Sequence, residues 1–118
     1  MKVEREALQV TVYVNSTDQW HGRPLYAAIV QTCQEHHIAG ATVTRCQEGY
    51  GAGQQLHTTR VLELSENLPM RIDIIDLVER LDPLMPTLGS MIGEGLMVVQ
   101  KVQVLRFLPD PQLTPGDI

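Results

Sequence analysis

Alternation of apolar and polar side chains in separate segments is the feature that most constrains the fold of this chain. In LQVTVYV, residues 8–14, every even position is Leu or Val and every odd position is Gln, Thr or Tyr. MRIDII, residues 70–75, repeats this alternation, and ATVTRCQ (41–47) and GLMVVQKVQVLRF (95–107) are further extended segments. A period of two places alternate side chains on opposite faces of a strand, so the sequence predicts four strands with one buried face.

The segment between the first two strands predicts a helix over about residues 23–37. Pro24 suits its first turn, where the missing N–H costs nothing. His36 and His37 would end the helix and cap its last carbonyl groups, and Gly40 would let the chain turn. Side chains spaced by three and four residues form the face expected to pack on the sheet: Leu25, Ala28, Ile29, Thr32 and Cys33.

A second helix is predicted to begin at Asp76, because Asp76 and Glu79 resemble a capping box. Pro83 and Pro86 each remove a backbone donor, so a kink or a break is expected near them. The apolar stripe of this helix consists of Leu77, Leu81, Leu84, Leu88 and Met91.

The elements follow the order β-α-β-β-α-β, which predicts an α+β, ferredoxin-like fold with both helices on one face of an antiparallel sheet. This domain covers residues 1–108, and the proline-rich residues 109–118 are expected to form a flexible tail. The second sheet face would lie in water or meet partner subunits. Its members are Gln9, Thr11, Tyr13, Thr42, Thr44, Arg71, Asp73 and Ile75.

Composition narrows the classes of partner. The 9 Lys and Arg residues against 14 Asp and Glu residues give a formal net charge of −5, which disfavours nucleic acid as a partner. The charged first residues and the lack of a long apolar run predict a cytoplasmic protein without a signal peptide or a membrane span. Cys33 and Cys46 are too few and too loosely spaced for a disulfide framework or a cysteine zinc site, so we expect small buried residues.

A glycine-rich stretch, GYGAGQQLHTT (49–59), is the strongest candidate site. It lies between predicted strands, whereas a Rossmann dinucleotide site needs a helix directly after its glycines. Backbone N–H groups of such glycines can form a concavity for phosphate oxygens, and the same residues also suit a simple hairpin turn. Both interpretations stay open on the glycines alone.

Two motifs in one order resemble PII signal-transduction proteins. HHIAGATVTRCQEGYGAGQQLHTT (36–59) is similar to the PII stretch from the first helix into the flexible T-loop, and IGEGLMVV (92–99) resembles the PII B-loop. The uncharacterised PII-like family is more similar still, since GRPLYAAIV, AGATVTR, GYG, LSENLPMRIDIID and EGL all resemble its motifs. The resemblance covers roughly residues 8–107.

The resemblance implies a homotrimer that binds an adenine nucleotide in the clefts between subunits. Nucleotide occupancy would set the shape of the T-loop, which a partner protein such as a membrane transporter or channel reads. Carried over by motif, the T-loop base and the B-loop correspond to Gly49, Tyr50, Gly51, Gly93, Glu94 and Gly95. Tyr50 would pack on the adenine or ribose, and His57 is a candidate phosphate contact.

Departures from the PII pattern change which nucleotide is expected to bind. Leu96 stands where PII proteins have a Lys, and Arg106 is the arginine near the end of the last strand. Fewer cations favour AMP, ADP or cyclic AMP over ATP. Gln54 or Gln55 corresponds to the PII glutamine that helps to hold magnesium, so Mg²⁺ stays open, and no cofactor is expected to be required.

Two other classes of function remain as alternatives. Divalent-cation tolerance proteins share this fold and trimeric state, although the four histidines show no zinc spacing, and no metal ligands are assigned. A slow nucleotide hydrolase would need a catalytic pair, and a strand exit and a helix cap already explain Asp73 and Asp76, while Ser65 has no base beside it. No catalytic residue is therefore assigned. Bicarbonate, a 2-oxoacid or an ion as effector stays open.

Overall fold

The computed structural model describes residues 1–49, 57–58 and 67–109. Within them the chain forms, in order, β1 (Lys2–Asn15), β2 (Gln19–Trp20), β3 (Arg23–Pro24), α1 (Leu25–Glu35), β4 (Gly40–Arg45), β5 (Glu48–Gly49), β6 (His57–Thr58), β7 (Pro69–Asp76), α2 (Val78–Leu81), α3 (Met85–Ile92) and β8 (Leu96–Phe107). The predicted tail, 109–118, lies outside the described residues except for Pro109.

The four long strands form one sheet in the order β4-β7-β1-β8, and each neighbouring pair is antiparallel. Val12 is the partner of Ile72 on one side and of Met97 on the other. The α+β, ferredoxin-like arrangement predicted from the element order is therefore confirmed. β2 pairs with β3, and β5 with β6, in two small separate ladders.

One face of the sheet packs against the helices and forms the core, as the alternation predicts. Val10, Val12, Ile72 and Ile74 are fully buried on this face. The predicted helix faces are buried against them, and Thr32 is half-buried. The buried residues of these predicted faces are Leu25, Ala28, Ile29, Cys33, Leu77, Leu81, Leu84, Leu88 and Met91, of which Leu77 and Leu84 are helix N-caps.

The cysteines differ in their surroundings, and both are free thiols. Cys33 is buried in the core as predicted, and this burial raises the pKa of its thiol to about 11. Cys46 is only half-buried, so the expectation of two buried cysteines is wrong for Cys46.

The end of α1 corrects the predicted turn. The N–H groups of His37 and Ile38 donate to the carbonyls of Gln34 and Cys33, which is a Schellman motif. His37 occupies the left-handed position with φ 56°, so the chain turns there, whereas Gly40 is the first residue of β4. His36 does cap the helix, because its Nδ1 lies 2.9 Å from the carbonyl oxygen of Thr32.

The start of the second helical segment also differs from the prediction. Asp76 belongs to β7, and α2 has Leu77 at its N-cap without a side-chain cap, so the predicted capping box is wrong. The fully buried Asp76 carboxylate accepts hydrogen bonds from the backbone N–H groups of Leu77 (2.7 Å) and Ala39 (2.9 Å). The expected break near Pro83 and Pro86 is confirmed, since α2 ends at Leu81 and α3 begins at Met85.

The strands differ in length, which gives the sheet two distinct ends. β1 and β4 finish, and β7 and β8 begin, at what we term the loop end. Beyond Leu8 and Asp76 at the opposite, ribbon end, residues 2–7 and 102–107 continue as a two-stranded ribbon. The described residues accordingly extend over 51 × 28 × 23 Å.

Candidate functional site

The glycine-rich stretch enters and leaves through a short ladder. Gly49 is the partner of His57, and Glu48 of Thr58, so paired extended segments flank the stretch as predicted. Because Cys46 N–H still bonds to the carbonyl of Pro69, this ladder follows the loop end of β4 closely. Four of the predicted site residues, Tyr50, Gly51, Gln54 and Gln55, lie outside the described residues.

The B-loop-like segment Gly93–Gly95 connects α3 to β8, also at the loop end. Gly93 has φ 62° and ψ −92°, a conformation that side chains strongly disfavour. A Cβ on Gly95 would lie 2.6 Å from Ile92 Cγ2 and 3.1 Å from the carbonyl oxygen of Tyr13. The backbone thus requires glycine at both positions whether or not a ligand binds, and Glu94 between them is exposed.

The structure places these two loops together at one end of the sheet but on different edges. β4, which leads to Gly49, and β8, which follows Gly95, are separated by β7 and β1, or roughly 14 Å at the usual strand spacing. Arg106 is not brought to them within one chain. It lies ten residues along β8 from Leu96, or about 33 Å, at the ribbon end beside Val3.

Cationic side chains at the loop end are Arg23, Arg45 and Arg71 among the described residues. Arg23 donates from Nη1 to Gln31 Oε1 on α1. Arg71 Nε donates to both carboxylate oxygens of Asp73 at 3.1 and 3.2 Å, on the sheet face away from the helices. Arg45 is exposed at the end of β4 and has no hydrogen bond or ion pair within the described part of the chain.

Asp73 is the centre of a polar cluster on the sheet face away from the helices, which we term the open face. Its Oδ1 also accepts hydrogen bonds from Thr11 Oγ1 at 2.8 Å and Gln9 Nε2 at 3.2 Å. Burial acts to raise the pKa of Asp73, but the bonds from Thr11, Arg71 and Gln9 outweigh it and lower the pKa below its usual range. The carboxylate is therefore held ionised on this face.

The groups considered for other chemistry do not converge. Asp73 and Asp76 lie three residues apart on one strand, which places them on opposite faces of the sheet. His21 stacks on Trp20 with ring centroids 4.4 Å apart. Over residues 1–49, 57–58 and 67–109, no three His, Cys, Asp or Glu side chains are placed to hold a metal ion.

A cavity of about 300 Å³ lies at the ribbon end, lined by Glu4, Arg5, Glu6, Leu77 and Glu79. It is remote from both glycine-containing loops.

No helix within the described residues is long and apolar enough to span a membrane.

Sequence reasoning missed Arg45 as a candidate. It is the last residue of the AGATVTR motif and stands four positions before Gly49. That position, directly ahead of the glycine-rich stretch, was the signal available in the sequence.

Solved structures of PII-like proteins share this arrangement. CPII, a nitrogen regulatory PII-like protein from Thiomonas intermedia K12 bound to ADP, AMP and bicarbonate, matches with a TM-score of 0.65 and 13% identity over 86% of this chain and 90% of CPII. The PII-like signalling protein TTHA0516 from Thermus thermophilus matches with a TM-score of 0.57 and 14% identity, covering 88% and 92% of the two chains. The fold is thus the PII-like fold.

The family is shown by the sequence itself. Residues 7–104 match the family DUF190, described as "Uncharacterized ACR, COG1993", and the chain belongs to it. The UPF0166 protein of Aquifex aeolicus is 25% identical over 105 residues, which are 89% of this chain and 98% of that protein. The UPF0166 protein MJ1524 of Methanocaldococcus jannaschii is 28% identical over 96 residues, 80% and 88% of the two chains.

Proposed function

We propose that this chain is a cytoplasmic PII-like regulatory protein that binds an adenine nucleotide between the subunits of a homotrimer. One observation carries the proposal. The ladder at Gly49 and His57 and the Gly93–Gly95 segment lie at the same end of a sheet whose fold is shared with CPII, a protein solved with ADP and AMP. Nucleotide occupancy would set the shape of the glycine-rich stretch, and a partner such as a membrane transporter would read that shape.

The proposed site needs more than one copy of the chain. Arg106 lies about 33 Å along β8 from the B-loop-like segment of its own chain, far beyond the reach of an arginine side chain. If Arg106 contacts the same nucleotide, a neighbouring copy must supply it. Tyr50, Gly51, Gln54 or Gln55, and His57 would complete the ligand contacts from the T-loop side, with Mg²⁺ as an optional companion.

Thermal unfolding scanned against AMP, ADP, ATP, cyclic AMP and divalent metals tests this function, with GMP and GDP as matched controls for the base. A ligand at about a hundred times its dissociation constant stabilises the folded state by roughly 2.7 kcal/mol, or a melting shift of several degrees for a domain of this size. We expect AMP, ADP or cyclic AMP to give this shift and ATP a smaller one.

The same samples separate the alternatives. Release of phosphate or adenosine during incubation would indicate a hydrolase. A shift with a metal but with no adenine nucleotide would contradict the nucleotide site and favour the cation-binding class.

A further inference from the structure

We infer that Arg45 supplies the positive charge that holds the phosphate of the bound nucleotide. This inference rests on the proposed function and names the specificity-determining cation of that site. A phosphate ligand needs such a charge here, because the chain carries a net charge of −5 and the B-loop-like segment contributes the acidic Glu94. Leu96, which begins β8 directly after this segment, is apolar and 58% exposed.

The position of Arg45 fits this role. Ala41 and Val43 of the same strand pack against the core, so the alternation along β4 directs Arg45 to the helix side of the sheet. Gly93–Gly95 follow α3, which belongs to the helix layer, and lead into β8 at the same loop end. Arg45 therefore shares both an end and a face of the sheet with the B-loop-like segment.

The other cations at the loop end are engaged elsewhere. Arg71 lies on the open face and is bound by both oxygens of Asp73. Arg23 donates to Gln31 on α1. Arg45 is exposed and has no partner within residues 1–49, 57–58 and 67–109, so it can turn toward a phosphate without breaking a described interaction.

Its place in the chain adds a further reason. Arg45 is the last residue of β4 in register with β7, opposite Met70. Gly49 lies four positions further along the chain, a span of at most about 14 Å in extended chain. A guanidinium group there can form two parallel, charge-assisted hydrogen bonds to a phosphate group.

Calorimetric titration of adenosine, AMP and ADP into the full-length chain tests the inference with the variants Arg45→Gln, Arg45→Lys and Arg23→Gln. We expect Arg45→Gln to weaken AMP and ADP binding about tenfold or more and to leave adenosine binding unchanged, since only the phosphate contact is charge-assisted. Arg45→Lys should weaken AMP and ADP binding less than Arg45→Gln does. Arg23→Gln, the matched control at the same end, should stay within about twofold of wild type. Raising the salt concentration should weaken AMP binding to the wild type more than to Arg45→Gln.

The possible outcomes distinguish a failure of this inference from a failure of the proposed function. If wild type binds AMP and Arg45→Gln binds it equally well, Arg45 is not the phosphate ligand, while the nucleotide function stands. Equal losses for adenosine and AMP would show that Arg45 acts on the fold, which also overturns the inference, and a melting curve of the variant checks this directly. If the wild type binds none of the three compounds, and neither cyclic AMP nor ATP raises its melting temperature, the proposed function fails together with the role of Arg45.

Discussion

A single carboxylate, that of Asp76, joins two segments that the sequence separates by 37 residues. It is fully buried and accepts the N–H groups of Leu77 and Ala39, at the end of β7 and before β4. Asp76→Ala leaves both donors without this acceptor, so we expect a loss of about 3 kcal/mol in the free energy of unfolding. Chemical denaturation at one fixed protomer concentration measures this, because association would otherwise shift the midpoint.

Asp82→Ala is the matched control for that experiment. Asp82 lies in the same region of the chain but is exposed, and its substitution should change stability by less than about 0.5 kcal/mol. Equal effects of the two substitutions would contradict the structural role of Asp76.

Asp73 makes stability depend on pH in a defined direction. Its pKa is lowered below the ordinary 3.8, so its stabilising contribution is fully present above that value and is lost as the pH falls through the folded-state pKa. The melting temperature of Asp73→Asn should therefore lie below that of wild type at pH 6, and the gap should narrow below pH 3.8. If the difference in melting temperature between Asp73→Asn and wild type does not vary with pH, the Asp73 carboxylate is not stabilised in its ionised form.

Thr11→Val tests the cause of this shift. Thr11 donates to Asp73 at 2.8 Å, and loss of its hydroxyl should raise the pKa of Asp73 toward its ordinary value. A carboxyl NMR titration reads this pKa directly, apart from any change in stability.

At the scale of elements, we expect the first residue of β8 to affect which phosphates the proposed site accepts. Leu96 follows Gly95 and is 58% exposed, so a lysine fits there without disturbing the core. Leu96→Lys restores the cation of the PII pattern and should raise the affinity for ATP about fivefold to tenfold relative to AMP. Calorimetry with both nucleotides measures the ratio, and Leu96→Gln controls for the loss of the apolar side chain. If Leu96→Lys leaves the ratio of ATP affinity to AMP affinity unchanged, the first residue of β8 does not contact the phosphates.

The elements also show what local pattern can and cannot predict. The strands and the buried helix faces were predictable because side-chain alternation and helical spacing act over a few residues. The turn at His37 was missed because Gly40 was assigned the left-handed position, which a non-glycine residue occupies instead. Asp76 was assigned to a cap because its acceptor role depends on Ala39, a contact that no local window contains.

The same limit applies to the candidate site, whose residues stay a prediction. Contiguous motifs identified the loops at Gly49 and Gly93–Gly95, whereas the distance of Arg106 from them depends on how far β8 runs before it ends. The sequence shows that Arg45 precedes the glycine-rich stretch, but only the structure shows that Arg23 and Arg71 are bonded to other side chains.

For the whole molecule, we expect another chain to cover the exposed apolar residues of β8 at this edge of the sheet. Leu96, Val98, Val99, Leu105 and Phe107 are 41–70% exposed along a strand that has no neighbour on one side within the described residues. A long apolar edge strand favours pairing with another chain, and a homotrimer would provide that partner.

Val98→Asp tests this expectation at the open face, where Val98 lies opposite the buried Thr11. We expect native mass spectrometry to show three chains for wild type and mainly single chains for Val98→Asp, because a carboxylate in a covered interface is costly to desolvate. Val78→Asp is the matched control, since Val78 is similarly exposed, 45% against 41%, but lies on α2 in the helix layer. If Val98→Asp still forms a trimer, the contact between chains lies away from this face. If the separated Val98→Asp chain still binds nucleotide, the site does not need Arg106 from a neighbouring chain.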